Sequence, residues 1–354
     1  MSGPAQPGPM AVHRLRLQLG LHLGLVWAVA ALSELSTPPI LWATSAGGVG
    51  NDYGTRVAVD PRGEVFVMGR FGLWWNHPAT FGSTVLPSTG GLGLFEMKLD
   101  SSGGVLWAMN GGVPKKKSCL GRAADSSGSI YETGRFGGTT HFGPWARTSN
   151  GAGDAYLTKL GRSGQMEWIH YWGGPGDDSG NDVAIDIAGN AYVAGHFTGD
   201  ISFGAHLVHS GASTNTAAFV HKISSAGTVQ WAKSMGGSSK ACAYSVAVDA
   251  SKNVYVTGGF EGTAVFSPSI SLTSAGEQDV FVMKLNETGD VQWALKAGGP
   301  GEDTGNSVDV DGAGNVYIAG IFSDTASFGA RQLSSAGQGD VFVMKLGTAA
   351  QSTK

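Results

Sequence analysis

Short apolar runs alternate with clusters of Gly, Asp, Asn and Ser along nearly the whole chain, and the runs return in a fixed order. Runs this short, rich in Val, Tyr and Phe and bounded by turn residues, predict β-strands. The most regular phrase is GEVFVMG (Gly63–Gly69), GSIYETG (Gly128–Gly134), GNAYVAG (Gly189–Gly195), KNVYVTG (Lys252–Gly258) and GNVYIAG (Gly314–Gly320). Its closing glycines stand 65, 61, 63 and 62 residues apart. Asp60, Asp125, Asp186, Asp249 and Asp311 keep the same steps. A lysine after an apolar pair recurs at Lys98, Lys159, Lys222, Lys284 and Lys345. Several landmarks marching with one period mean five copies of one structural unit.

Each unit predicts four strands. A run such as Val57–Asp60 turns through Asp-x-x-Gly into the glycine-closed phrase, with glycine suited to the positive φ of the turn. After an insert of about twenty residues comes a third strand such as Val280–Leu285, then the hairpin Asn286–Asp290 and a fourth strand, Val291–Ala294. The second and third strands are apolar at nearly every residue, which implies cover on both faces rather than one wet face. A four-stranded sheet packed on both sides and repeated describes propeller blades. The last unit ends at Lys354 without a Trp-bearing fourth strand, whereas ILWATSAGG (Ile40–Gly48) opens the chain with one. Trp42 is in step with Trp107, Trp168, Trp231 and Trp293, at 65, 61, 63 and 62 residues. The expected fold is therefore all-β: a five-bladed β-propeller of four-stranded blades, its ring closed by the N-terminal strand 40–44 completing the last blade. The propeller spans 36–354, with repeats at about 47–110, 111–172, 173–235, 236–297 and 298–354.

The phrase GGPGEDTGNSVDVDGAGNVYIAG (Gly298–Gly320), followed by FG, a Ser/Gly patch and D-x-F-V-x-K-L, resembles the repeats of secreted bacterial beta-propeller repeat (SBBP-type) proteins. The resemblance runs through all five units and implies an exported or surface-attached protein without a catalytic constellation.

Composition agrees with tight turns and short strands: 57 glycines in 354 residues, 42% hydrophobic and 14% charged. A net charge of −4 leaves no basic footprint for nucleic acid, and Lys115–Lys117 reads as a solvated loop. Residues 1–35 read as a secretory signal or a disordered leader: His13, Arg14 and Arg16 precede the apolar run Leu17–Leu32, and small residues follow. Sixteen residues that include Gln18 and His22 make a short and polar membrane span, so a cleaved signal is expected, with an uncleaved anchor as the alternative. A secreted or cell-surface monomer without cofactor is expected, with Cys119 and Cys242 as free thiols and Asn286-Glu287-Thr288 as a glycosylation sequon.

Candidate contacts are the residues that break the repeat. The first insert carries four extra residues in GLWWNHPAT, with Trp74, Trp75 and His77; the second repeat adds His141, Trp145 and Trp172. Exposed indoles suit stacking on a carbohydrate or burial against a protein ligand; the alternative is that they seal the flank of their blade. Asp52, Asp177, Asp178 and Asp303 are glycine-flanked loop acids of the kind that can ligate calcium or cap turns. His196, His206, His209 and His221 gather in the third repeat without a zinc spacing. Asp309 and Glu132 replace Ala and an apolar residue, as drift in a degenerate repeat or as the acids of a carbohydrate hydrolase. No nucleophile elbow or phosphate loop is present, so the expectation is a non-catalytic binding scaffold, with a hydrolase at the propeller axis and a purely structural surface module as its rivals.

Overall fold

The computed structural model describes residues 46–48, 51–59, 64–73, 78–87, 93–112, 117–211, 215–335 and 339–347. The predicted leader, the closing strand 40–44, and Trp74, Trp75 and His77 lie outside the described residues. The described part is all-β, with 28 strands and no helix. Among the described residues no helix is long and apolar enough to cross a membrane.

Antiparallel sheets form in chain order. The first contains Asn51–Val59, Val65–Leu73, Gly93–Leu99 and Val105–Gly112; the second, Lys117–Ala124, Ile130–Phe136, Asp154–Leu160 and Met166–Trp172. The third repeat contributes Ser179–Ile185, Ala191–Thr198, Thr216–Ile223 and Val229–Gly237; the fourth, Ala241–Val248, Val254–Ser267, Ile270–Leu285 and Val291–Ala297. These two repeats join in one larger sheet, because Gly236 and Gly237 pair with Val265 and Ala264 of the next insert. The fifth sheet has three strands: Thr304–Val310, Val316–Phe322 and Asp340–Leu346.

The recurrent residues are explained by one linked set of contacts. Asp186 accepts N–H bonds from Ala188 and Asn190 and the hydroxyl of Tyr192; Asp249 and Asp311 do the same in their repeats. The hairpin acids are thus turn anchors. Each aromatic on the second strand then carries the recurrent lysine over its ring, at 4.5 Å for Lys98 on Phe66 and 5.2 Å for Lys222 on Tyr192. Its other contact is the fourth-strand tryptophan, with centroids 5.8 Å apart for Tyr131–Trp168 and 6.4 Å for Tyr255–Trp293. In the last repeat Lys345 lies over Tyr317 at 5.0 Å, but Tyr317 is 36% exposed, whereas Tyr131, Tyr192 and Tyr255 are buried. Expected cover on both faces holds for Ala191–Thr198 and Thr216–Ile223 and fails here: Val343 is 70% exposed while its counterpart Val282 is fully buried. The described residues leave that face of the last sheet without a neighbour.

The closing glycines have a steric reason. Every first strand carries a register shift opposite them, as between Gly180 and Asp182 and between Ala243 and Ser245. A Cβ at Gly195 would stand 2.0 Å from the carbonyl oxygen of Ser179, and one at Gly258 would stand 1.9 Å from that of Cys242. Gly195→Ala is expected to cost about 3 kcal/mol through forced backbone movement, read as a fall in the denaturant midpoint. A change under ~0.5 kcal/mol would show that the bulge is not fixed by this contact.

Cores lie between successive sheets. Val183, Val193 and Phe219 of the third repeat meet Tyr131 and Leu157 of the second, and Val246, Val256 and Phe281 meet Tyr192 and Val220. Neither Cys119 nor Cys242 forms a disulfide among the described residues.

Candidate functional site: grooves between repeats

The inserts fold back as hairpins: Thr139–Phe142 with Trp145–Thr148, Asp200–Phe203 with His206–His209, and Thr325–Phe328 with Arg331–Ser334. In the fourth repeat the hairpin is continuous with its long strands. A phenylalanine pair fixes the root in four repeats, such as Phe136–Phe142 at 5.2 Å and Phe260–Phe266 at 6.1 Å, both edge to face, while in the third Phe197 and Phe203 each pack on Phe219. Between an insert hairpin, the preceding fourth strand and the following third-to-fourth turn lie two grooves, and a third lies between the hairpin and third strand of the last repeat and the fourth strand before it. They measure about 370 Å³ between repeats one and two, 730 Å³ between three and four, and 600 Å³ between four and five.

The first groove is lined by Met109, Asn110, His141, Phe142 and Met166, and by Glu96. Glu96 belongs to a buried set of charges. Arg122, with no exposed side-chain surface, pairs tightly with Glu132 and reaches Glu96 at 3.6 Å. Burial pulls the guanidinium pKa down, but the carboxylates of Glu132 and Glu96 more than reverse this and hold it above its ordinary value. All three occupy positions that are apolar elsewhere. Arg122 stands where Val183, Val246 and Val308 do, Glu132 where Val193 and Val256 do, and Glu96 where Leu157, Val220 and Val282 do. Glu132 was legible as an outlier; its partner was not, because Arg122 and Glu96 sit inside runs whose neighbours remain apolar.

The predicted contact residues separate. His141 is exposed on the groove, and Trp145 is half-buried on the return strand of the same hairpin. Trp172 does not join them. It is 4% exposed and packs on Phe203 at 5.4 Å, on His221 at 4.4 Å and against the stacked ring of His170, so it is core and not contact surface. The reason is register: Trp172 is paired with Ala155, a residue too small to fill the space beside it.

The loop acids also resolve into separate roles. Asp177 is exposed and pairs with Arg135. Asp178 is fully buried, and both its oxygens accept main-chain N–H bonds, from Gly174 and Thr198. Burial raises its pKa to about 6 in spite of those bonds. Asp303 repeats the arrangement with Gly299 and Ser323. The side chain of Asp52 is outside the described residues. Among the described residues no three His, Cys, Asp or Glu side chains converge as a metal site. The histidines of the third repeat are likewise dispersed: His196 bonds Asn181, His209 pairs with Asp200 at 2.9 Å, and His221 is buried among aromatic rings. Asp309 is exposed and accepts the N–H of Val310, while Glu132 is buried with Arg122.

Comparison with known proteins follows the same units. Residues 167–201 and 292–320 match the SBBP beta-propeller repeat. Each SBBP match begins in a Trp-bearing fourth strand and runs into the next repeat. A WD repeat-containing protein of Acanthamoeba polyphaga mimivirus is 27% identical over 182 residues, 47% of this chain. The aligned part spans only 13% of that relative. Among solved structures, puromycin hydrolase aligns over 85% of this chain and 41% of its own, at 13% identity and a TM-score of 0.44. A Bacteroides caccae protein of unknown function aligns over 69% of this chain and 82% of its own, at 9% identity and a TM-score of 0.30.

Proposed function

We propose that the chain is an exported or surface-attached five-bladed propeller, closed by its own opening segment, that serves as a non-catalytic scaffold for binding or adhesion. Closure is supported by three features of the ends. Gly47 and Gly48 pair with Thr80 and Ala79 of the first insert, the place that Gly236 and Gly237 take against the fourth insert. Tyr317 keeps its aspartate and its lysine but meets no indole among the described residues, and the Trp42 position is in step to supply one. The bare face around Val343 is where a fourth strand and a following blade would lie.

Binding rests on one contrast. The anchors of each repeat are held nearly constant, whereas His141, Asp200, His209 and Val265, which depart from the repeat, lie on the insert hairpins and the grooves beside them. Rigid frames that vary only in their loops are how binding surfaces are built. The proposed contact on the first two repeats comprises Trp74, Trp75, His77, His141 and Trp145, facing a carbohydrate or protein ligand. Full-length chain on a glycan panel, with a parallel assay for released sugar, tests the reading. Saturable binding without turnover is expected. Hydrolysis that disappears in Asp309→Asn would replace the scaffold by an enzyme.

A further inference from the structure

We infer that the groove between the third and fourth repeats is a carbohydrate site, which gives the proposed scaffold a second, specific place of contact and rests on that reading. Departures from the repeat converge there. At the base of the insert hairpin three repeats close with a pair of hydroxyls: Thr139 with Thr148, Thr263 with Thr273, and Thr325 with Ser334, each at 2.9 Å. The third repeat has Asp200 and His209 instead, Oδ1 to Nδ1 at 2.9 Å, with His209 on the groove. That bond occupies Nδ1 and leaves the ring's other nitrogen as a polar group for a ligand.

Two exposed apolar side chains also meet there. Val265 takes the position of Thr80, His141, Ser202 and Ser327 and is 47% exposed; Leu207 takes that of Val85, Ala146, Ser271 and Gln332 and is 56% exposed, much as Val85 is at 59% in the first repeat. Both line the groove, opposite Lys233, Asp290 and the hydroxyl of Ser267. Exposed aliphatic residues on neighbouring hairpins have no role in the core of either repeat. Together they make a small dry shelf beside polar groups.

The polar groups select the ligand class. Lys233 donates only, Asp290 accepts only, and the two formal charges cancel. A strongly charged ligand would meet one of them as a like charge. A sugar hydroxyl both donates and accepts, and the C–H face of a pyranose matches an aliphatic shelf. A cleft of about 730 Å³ admits two or three hexose units.

The test uses the full-length chain on a panel of neutral and acidic glycans, with affinities measured for the best ligand. One variant restores the repeat pattern: Asp200→Thr, His209→Thr, Leu207→Ser and Val265→Ser, each residue being one that other repeats carry at its position. It is expected to keep its melting temperature and lose affinity at least tenfold. Lys233→Met, which keeps the aliphatic stem, is expected to lose severalfold, and it carries the test if the fourfold variant does not fold. Unchanged affinity in both variants, with the parent still binding, overturns this site and leaves the scaffold reading intact. No binding by the parent to any glycan removes the site, and binding only to protein ligands would then keep the scaffold.

Discussion

Arg122→Met is expected to destabilise the protein by about 3–5 kcal/mol, because it removes the tight ion-pair partner of the buried carboxylate of Glu132. Glu132 has 1% of its side chain exposed, whereas Glu96, 5% exposed, lies on the wall of the first groove. Adding Glu132→Val, the residue of repeats three and four, should recover more than half of the loss, since replacing a whole buried pair by apolar residues is often near neutral. Urea unfolding of the parent, both single variants and the double variant gives the coupling energy directly. Additive losses would mean that the pair does not act as a unit.

His221→Met is expected to raise stability at neutral pH and to raise it more in acid. The ring is fully buried among Trp172, Phe203 and Phe219, and neither nitrogen has a hydrogen-bond partner. An unmet buried polar group costs about 1–3 kcal/mol. Burial, with a smaller push from His170, drives the pKa of His221 far below its ordinary value. A group whose folded pKa is depressed in this way contributes stability above the unfolded value near 6.5 that is lost as pH falls. At pH 5 the penalty on the parent reaches about 2 kcal/mol. Methionine is what three other repeats carry at this place, as Met97, Met283 and Met344. Asp178 works in the opposite sense: its raised pKa gives stability that is present in acid and lost as pH rises through about 6. The difference between variant and parent across pH 5–8 therefore isolates the histidine. A constant difference over that range would mean that the ring titrates in the folded protein as it does in the unfolded chain, against a depressed pKa.

The period of the landmarks made the strands, hairpins and inter-sheet cores legible, because Asp, aromatic, Lys and Trp serve the same contacts wherever they are among the described residues. What escaped was whatever depends on pairing between repeats. Arg122 and Glu96 lie 26 positions apart and on different sheets, so no local pattern joins them. Trp172 read as a surface indole because aromatic residues near a loop look alike whether they face out or in; only its pairing with Ala155 decides. The Asp200–His209 pair was visible as two residues and not as a replaced hydroxyl pair, since the register of the hairpin was needed to align it.

Ring closure can be tested by a cross-link between the chain ends. In the complete sheets Met97 faces Ala108 and Met283 faces Ala294, so Met344 should face Ala43. Cross-strand neighbours lie within the Cα separation that a disulfide spans. Ala43→Cys with Met344→Cys, oxidised at low protein concentration and mapped by mass spectrometry without reduction, is expected to give an intramolecular 43–344 bridge in high yield. A chain that forms no such bridge, or in which Ala43→Cys bridges equally well to Ser307→Cys, is not closed by its opening segment.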